Sequence, residues 1–309
     1  MLTSGKPSRP VIWRLSDGKA GHDTQSKGLA EALARLAQCT ICDILVTAYS
    51  PSILDYINKR FDAGVQYPDP DIIVGAGHGT HIPALQAKRA RGGLTIVLMK
   101  PTLPLAWFDY CLIPNHDRPA GRDNVIITTG VLNTVVPTTA HSAGEGLVLI
   151  GGPSRHFDWD PDSLIMQLQL IVSRQPHIHW TITDSPRTPD STLGRISEQG
   201  WANMDIIPFK DCGTATLQNL YARAGNIWVS TDSISMVYES LASGARVGLL
   251  EVPQRQESRV SLAMKSLIED GLLTSFAAWR STNTMLTPKY TMNEAARCAG
   301  ILLQRGIFV

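Results

Sequence analysis

The stretch from Ile227 to Gly244, IWVSTDSISMVYESLASG, decides the fold of this chain. It predicts the end of a buried strand, a polar turn and a short helix that stops at Gly244, because glycine readily takes the left-handed conformation that follows a helix. Four apolar residues recur at helical spacing and predict the buried stripe of this helix: Ile234, Val237, Tyr238 and Leu241. Strand, turn and helix in succession form the repeating unit of α/β proteins.

The polar residues at the start of this helix favour an anion. Asp232, Ser235 and Glu239 fall on a face different from the buried stripe. Unpaired backbone N–H groups, small hydroxyls and the helix dipole together attract a phosphate at such an end. Glu239, further along the helix, can accept hydrogen bonds from a sugar diol. The alternative interpretation is an ordinary N-capped helix with a solvated glutamate.

Size and composition predict a globular protein of two domains. The 309 residues are about twice the length of a typical single domain. Hydrophobic residues make up 43% of the chain and charged residues 18%, which is ample for a core. The formal net charge is +1, so the composition does not indicate binding to nucleic acid. The sequence also has no long basic run that would indicate binding to an anionic membrane.

The cellular location follows from what the sequence lacks. No stretch approaches the ~20 apolar residues of a transmembrane helix, and residues 1–7 lack the apolar region of a secretory signal. We therefore expect a cytoplasmic protein, with peripheral contact at the inner face of the membrane left open. Five cysteines, an odd number, favour reduced thiols, and the lone pair Cys39 and Cys42 is a weak candidate for redox or zinc chemistry.

Strand and helix patterns alternate along both halves of the chain. Strands are predicted at 11–15, 41–46, 71–74, 94–99, 110–113 and 125–128, then at 147–150, 179–183, 205–208, 227–230 and 247–252. Helices between them include one with Leu29, Leu33 and Leu36 on one side, one over 50–61, one over 84–90, and one that begins at Asp160 and Pro161. The aperiodic segment 137–145 reads as a linker.

This alternation predicts an α/β fold with two Rossmann-like, doubly wound parallel-sheet domains facing a cleft. The first domain spans 1–138 and is joined by a C-terminal helix over 292–309. The second spans 145–291. Ligands bind at the carboxyl ends of the strands in such sheets, so the loops there are the candidate sites.

In the first domain these loops supply an acceptor side. The expected residues are Lys19, Gly21, Gln25, Gly77, His78 and Lys100. His22 is the candidate catalytic base because an imidazole titrates near neutral pH, and Asp17 is the carboxylate alternative. His78 and His81 also suggest a metal, but no third ligand with suitable spacing accompanies them, and no metal is predicted.

In the second domain three loops end strands and supply a donor side. Arg155 and Arg187 are expected to converge with the helix amino end on one diphosphate, because the planar guanidinium donates two parallel hydrogen bonds. The full set of expected donor-binding residues is Gly152, Ser154, Arg155, Ser185, Arg187, Thr231, Asp232, Ser233, Ser235, Met236 and Glu239.

The same motifs carry a family resemblance over nearly the whole chain. Segments 16–22 with Gln25, 75–78, 114–117, 151–154 and 231–236 with Glu239 resemble the mitochondrial-fission ELM-type family, whose bacterial members are similar to the plant elongated-mitochondria protein. The resemblance implies a two-domain architecture similar to GT-B glycosyltransferases. It also implies that the carboxyl-terminal domain holds a nucleotide sugar and that Glu239 binds its ribose. GT-B donor helices commonly follow a Gly-rich turn, whereas this helix follows Asp232 and Ser233.

Three functions remain open from the sequence. The first is a metal-independent glycosyltransferase with no cofactor, which moves a sugar from a nucleotide-diphosphate donor to an envelope glycan or lipid-linked acceptor. The second is a non-catalytic GT-B-like scaffold, as the fission label suggests. The third is a sugar-nucleotide epimerase or hydrolase, since one fold hosts several activities.

Overall fold

The computed structural model describes residues 9–49, 52–119 and 121–308. Contacts divide these residues into two compact units. Unit 1 comprises the described residues of Met1–Thr134 and Asn293–Val309, and unit 2 comprises Val135–Met292. The prediction that residues 1–7 carry no secretory signal lies outside the described residues.

Unit 1 alternates strands and helices along the chain. Its strands are β1 (Val11–Ser16), β2 (Thr40–Leu45), β3 (Ile72–Ala76), β4 (Leu94–Leu98), β5 (Tyr110–Pro114) and β6 (Val125–Thr128). Its helices are α1 (Ala20–Ala37), α2 (Ile53–Ile57), α3 (His81–Arg91) and, from the end of the chain, α10 (Glu294–Gln304).

The strands of unit 1 form a parallel sheet in the order β2-β1-β3-β4-β5-β6. Helices α1 and α10 cover one face, where Leu29, Leu33 and Leu302 are buried together. On the other face Trp13 packs with Ala84 and other buried residues. Both faces are therefore covered, as a parallel sheet requires.

Unit 2 repeats the pattern. Its strands are β7 (Ser142–Leu149), β8 (His179–Thr183), β9 (Met204–Ile206), β10 (Ala224–Ser230), β11 (Arg246–Leu250) and β12 (Thr274–Ser275). Its helices are α4 (Pro161–Arg174), α5 (Ser191–Ser197), α6 (Thr214–Arg223), α7 (Ile234–Ser243), α8 (Arg259–Glu269) and α9 (Phe276–Thr282).

The sheet of unit 2 is also parallel, in the order β12-β11-β10-β7-β8-β9. Counted from its own first strand and read from the β9 edge, this is the Rossmann order 3-2-1-4-5-6. The chain winds to one side after β7 and to the other after β10, so the switch point of the sheet lies between these two strands. The predicted fold class, two parallel α/β sheets of Rossmann type, is confirmed.

The helix that begins after Asp160 is present as predicted. The Asp160 carboxylate accepts hydrogen bonds from the backbone N–H groups of Asp162 and Ser163, and Pro161 occupies the first turn. Helix α7 also ends as predicted, with Gly244 at a φ of 91° in the left-handed region.

Other predicted elements differ from the structure. The helix expected over 50–61 is only α2, because Asn58 ends it, and Ser50 lies outside the described residues. The segment 137–145 is not wholly a linker, since β7 already begins at Ser142. Leu36 was expected beside Leu29 but is exposed. These errors arise where tertiary pairing, and not local periodicity, decides the element.

Candidate functional site

In unit 1 a carboxylate and an imidazole are paired just after β1. Asp17 Oδ2 lies 2.9 Å from His22 Nδ1, with Asp17 largely buried. An ionised carboxylate only accepts hydrogen bonds, so Nδ1 carries the proton and His22 Nε2 is left as an acceptor. The backbone N–H of Lys19 donates to the other carboxylate oxygen at 3.3 Å. The pair has the arrangement of an oriented general base.

Two glycines after β3 make room for this pair. A Cβ at Gly77 would overlap the His22 ring, and Gly77 has a φ of 78°, where other residues are strained. A Cβ at Gly79 would lie 3.1 Å from Asp17 Cβ. Strands β1 and β3 are neighbours across the switch point of this sheet. The structure thus brings Asp17, His22 and Gly77 together at the carboxyl edge of this sheet.

The other expected acceptor-side residues are less directly placed. The Gln25 side chain donates to the Gly21 carbonyl of its own helix at 3.2 Å. The ammonium of Lys100 is exposed and donates to the Asp117 carbonyl at 3.2 Å. His78 is exposed beside the pair. The ammonium of Lys19 lies 4.0 Å from Asp17 Oδ2, whereas no described hydrogen bond joins Gln25, His78 or Lys100 to Asp17 or His22.

His81, at the start of α3, is buried to 2% exposure. Neither ring nitrogen has a hydrogen-bond partner among the described residues, and the ring lies 5.5 Å from that of Phe108. Burial, followed by the nearby His78 and His22, lowers the pKa of His81 to about 4. The ring is therefore neutral near pH 7.

In unit 2 the loops after β7, β8 and β10 are tied together by one buried carboxylate. Asp232 Oδ2 accepts from the Gly152 backbone N–H at 2.9 Å and from Arg187 Nη2 at 2.8 Å. Arg187 Nη1 donates to the Gly152 carbonyl at 2.7 Å. A Cβ at Gly151 would overlap the Asp232 carboxylate, so this close approach needs glycine. Gly152, Arg187 and Asp232 therefore form a single cluster at the switch point.

In this cluster the negative charge of Asp232 is paired with the positive charge of Arg187. The Asp232 side chain is fully buried, while that of Arg187 is 41% exposed. The Oδ2 atom of Asp232 is paired with Arg187 and a backbone N–H, whereas Oδ1 is buried without a partner among the described residues. Asp232 does not cap α7, whose cap residue is Ser233. No side chain in the described ranges caps that helix end. The first N–H groups of α7 thus remain open to an anion.

The remaining donor-side residues mainly form hydrogen bonds with the backbone of nearby loops. The Ser154 hydroxyl accepts from the His156 backbone N–H at 3.2 Å, and the exposed Arg155 donates to the His156 ring. The Ser185 hydroxyl accepts from the Arg187 backbone N–H at 3.3 Å. Thr231 Oγ1 accepts from the Val252 backbone N–H at 3.2 Å. Ser233 is buried, Ser235 is exposed and Met236 is partly buried. The convergence of Arg155 and Arg187 on a diphosphate stays a prediction.

Glu239 lies in α7 as predicted, with a partner that the sequence did not reveal. Tyr221, buried in α6, donates its hydroxyl to Glu239 Oε2 at 2.9 Å. Burial raises the pKa of the Glu239 carboxyl, and the Tyr221 hydroxyl partly offsets that rise. No local pattern indicates this pair, because the two residues meet only through the packing of α6 beside α7.

The cysteines are free thiols. Burial, with Asp71 nearby, raises the pKa of Cys39 to about 11, so this residue of the C-x-x-C pair holds little thiolate at neutral pH. Among the described residues no group of three or more His, Cys, Asp or Glu side chains could hold a metal ion. None of the helices among the described residues is long and apolar enough to cross a membrane.

Two Rossmann-type units with parallel sheets define a protein of the GT-B fold class. The chain belongs to the family described as Mitochondrial fission ELM1, whose model matches residues 20–306. Among curated proteins it is similar to the uncharacterized protein RP120 of Rickettsia prowazekii, at 24% identity over 348 aligned residues that cover 94% of this chain and 97% of the relative.

Solved structures show the same fold at low sequence identity. The UDP-GlcNAc 2-epimerase of Methanocaldococcus jannaschii aligns with a TM-score of 0.55 at 11% identity, over 96% of this chain and 99% of its own. The UDP-GlcNAc 2-epimerase of Neisseria meningitidis, bound to UDP-GlcNAc, aligns with a TM-score of 0.52 at 11% identity and the same coverage. At this identity the likeness concerns the fold alone.

Proposed function

We propose that this chain is a GT-B-type glycosyltransferase that moves a sugar from a nucleoside-diphosphate donor to an envelope glycan or lipid-linked acceptor. One observation carries the proposal: the amino end of α7 lacks a side-chain cap at the switch point of unit 2, with Glu239 further along the same helix. A diphosphate and a ribose are the two parts of a nucleotide that such a helix suits.

The donor is held by unit 2 in this proposal. The open N–H groups of α7 bind the diphosphate, and the exposed edge of Arg187 adds charge-assisted hydrogen bonds. Glu239 accepts hydrogen bonds from the ribose hydroxyls while Tyr221 holds its other oxygen. A structural neighbour of the same fold is bound to UDP-GlcNAc, which makes uridine the first nucleotide to test.

The chemistry needs a base and a stabilised leaving group. The acceptor hydroxyl oxygen forms a bond to the anomeric carbon of the donor sugar, and the bond from that carbon to the diphosphate oxygen breaks with its electron pair. The proton of the hydroxyl goes to His22 Nε2, and Asp17 stabilises the imidazolium that forms. The positive end of α7 stabilises the diphosphate that leaves.

Binding is tested by isothermal titration with a panel of UDP-, GDP-, CMP- and ADP-linked sugars. We expect one nucleotide to bind, and Glu239→Gln to weaken its binding by roughly 10- to 100-fold, because a hydrogen bond to a charged group is worth roughly 1.5–3 kcal/mol. If no member of the panel binds, the donor site is absent, and the non-catalytic scaffold becomes the better description.

Turnover is tested by nucleotide release with a lipid extract as acceptor. His22→Gln should lower kcat about 100-fold or more with unchanged donor affinity, as for loss of a general base. The matched control is His179→Gln, which removes a histidine from a surface pair with Asp205 at 2.8 Å. Nucleotide sugar that is consumed or isomerised without any acceptor would instead identify a hydrolase or an epimerase.

A further inference from the structure

Unit 1 exposes several large apolar side chains on and around α2. Helix α2 is rich in apolar residues, yet none of its residues is buried. We define the α2–α3 surface by six side chains that are 46 to 77% exposed: Ile53, Leu54, Tyr56, Ile57, Ile82 and Trp107. An amphipathic helix normally turns its apolar side to the core of its own domain, so α2 gains nothing from its isoleucines and leucine unless something else covers them.

A groove of about 800 Å³ opens within this surface. Tyr56, Ile82, Leu85, Leu103 and Trp107 make most of its wall, so the wall is mainly apolar. Gln86 also lines the groove, and its amide nitrogen donates to the Ser52 carbonyl at 2.8 Å, which holds α2 beside α3. Its amide oxygen is buried and has no partner among the described residues. Lys88 and Arg89 also line the groove, so a mainly apolar channel has basic residues in its wall, which suits an anionic amphiphile.

Basic side chains stand around the apolar residues. Lys59 and Arg60 follow α2 directly, and the Arg89 guanidinium lies 5.9 Å from the centre of the Tyr56 ring. Lys88 is neutralised by Asp109 at 2.6 Å and Arg60 faces Asp62 at 3.5 Å. Within the described ranges, Lys59 and Arg89 are in no ion pair, so they place two positive charges beside the apolar residues, against one carboxylate, Asp55, within α2.

We propose that the α2–α3 surface docks unit 1 on an anionic lipid bilayer, with the groove taking one lipid hydrocarbon chain. Aliphatic residues, an exposed tryptophan and tyrosine, and unpaired cations are the combination that inserts at the headgroup boundary of such a bilayer. An anionic bilayer offers both negative headgroups for Lys59 and Arg89 and hydrocarbon for the apolar side chains. The proposal does not depend on the sugar chemistry, and its test measures binding only.

The first experiment is co-sedimentation of the full chain with vesicles of phosphatidylglycerol and phosphatidylcholine, against vesicles of phosphatidylcholine alone. We expect binding to the anionic vesicles. The double variant Leu54→Ser with Ile57→Ser should weaken it at least about tenfold, since each side chain loses apolar burial. The matched control, Leu36→Ser with Leu262→Ser, changes two leucines that are similarly exposed on other helices and should bind as before.

Trp107 supplies a spectroscopic check. All seven tryptophans lie in the described ranges. Trp107 is exposed, and the other six are buried or partly buried. On vesicle binding we expect a blue shift and quenching by brominated lipid, and both signals should vanish in Trp107→Phe while sedimentation persists. Quenching that survives this substitution would place the membrane contact elsewhere and overturn the proposal.

The charges are tested separately. The double variant Lys59→Gln with Arg89→Gln should lose about tenfold or more of the preference for anionic vesicles, since each basic residue near the surface contributes about fivefold. Equal binding by all variants, or no binding to any vesicle, overturns the proposal. A dimer in light scattering that Leu54→Ser with Ile57→Ser converts to monomer would overturn it too, because a second copy would then cover the surface.

Discussion

Two histidines at the same edge of unit 1 show how the surroundings decide what a residue does. His22 has a carboxylate at 2.9 Å and keeps one ring nitrogen as an acceptor, which suits a base. His81 is buried with neither ring nitrogen bonded by the described residues, and its low pKa keeps it neutral. From the sequence both residues were candidates for metal or acid–base chemistry. Only the first has the contacts for it.

His81 should make the stability of the protein depend on pH. Its pKa is about 4 in the folded chain and 6.5 in the unfolded chain, so the unfolded state binds the proton more readily between these values. The stabilisation is present above pH 6.5 and is lost as the pH falls towards 4. Relative to His81→Leu, the natural chain should lose roughly 3 kcal/mol of unfolding free energy over that range.

The measurement is urea unfolding at several pH values for both chains. The comparison cancels the carboxylates that titrate in the same range. Parallel curves for the two chains would mean that His81 is protonated in the folded state, or is solvated.

Tyr221 is expected to position Glu239. In Tyr221→Phe the carboxylate loses its donor, so its pKa should rise further and the unfolding free energy should fall by about 1–3 kcal/mol. If the nucleotide proposal holds, affinity for UDP should also fall and its loss on acidification should begin at a higher pH. Titration calorimetry against pH checks this. Tyr67→Phe, which removes an exposed hydroxyl bond to the Asp43 carbonyl, is the control and should change neither quantity.

At the scale of elements, local signals predicted well what local interactions determine. The end of α7 at Gly244 and the Asp160 cap of α4 each depend on residues a few positions apart, and each is confirmed. Of the predicted stripe of α7, Val237, Tyr238 and Leu241 are buried and Ile234 is only partly buried. The pairing of Glu239 with Tyr221 depends on how α6 packs, and the Asp232 cluster depends on three strands meeting. No spacing rule contains that information. The length of α2 was overpredicted for the same reason, because its apolar residues do not face the core.

Alanine substitutions of two glycines compare the backbone conformation at the end of α7 with that inside α10. Gly244→Ala puts a Cβ on a residue at a φ of 91°, where the neighbours leave ordinary contact distances, so backbone strain alone should cost about 1 kcal/mol. Gly300 lies inside α10 with nothing within 4 Å of the added Cβ, and Gly300→Ala should stabilise by about 0.5–1 kcal/mol.

Thermal unfolding of the two variants measures both effects. Opposite signs are expected. Equal signs would contradict the left-handed conformation at Gly244 or the helical one at Gly300.

At the scale of the whole molecule, the chain leaves unit 1 and returns to it. Helix α10 packs on α1, and Ala295, Cys298, Ala299 and Leu302 are buried in the core of unit 1. Helix α10 therefore completes a core that also contains residues of β1 and α1. Unit 2, by contrast, is one continuous segment, Val135–Met292.

Leu302→Ala should destabilise unit 1 and leave unit 2 intact. Leu302 is fully buried, so the substitution should cost about 3 kcal/mol, within the range for large-to-small changes in a core. Hydrogen exchange should rise in β1 and β3 and stay unchanged in β7 and β10. Gln304→Ala, at an exposed position of the same helix, should leave exchange as it was. Equal loosening of both sheets would mean that the two units unfold as one.

The return of α10 has a consequence for the order of folding during synthesis. Protein domains generally fold in the order in which they leave the ribosome. Here the core of unit 1 is incomplete until α10 has been synthesised, whereas unit 2 is fully synthesised before α10. A nascent chain that lacks α10 would thus have a complete unit 2 and an incomplete unit 1. The apolar residues of unit 1 that α10 covers would then be exposed to chaperones.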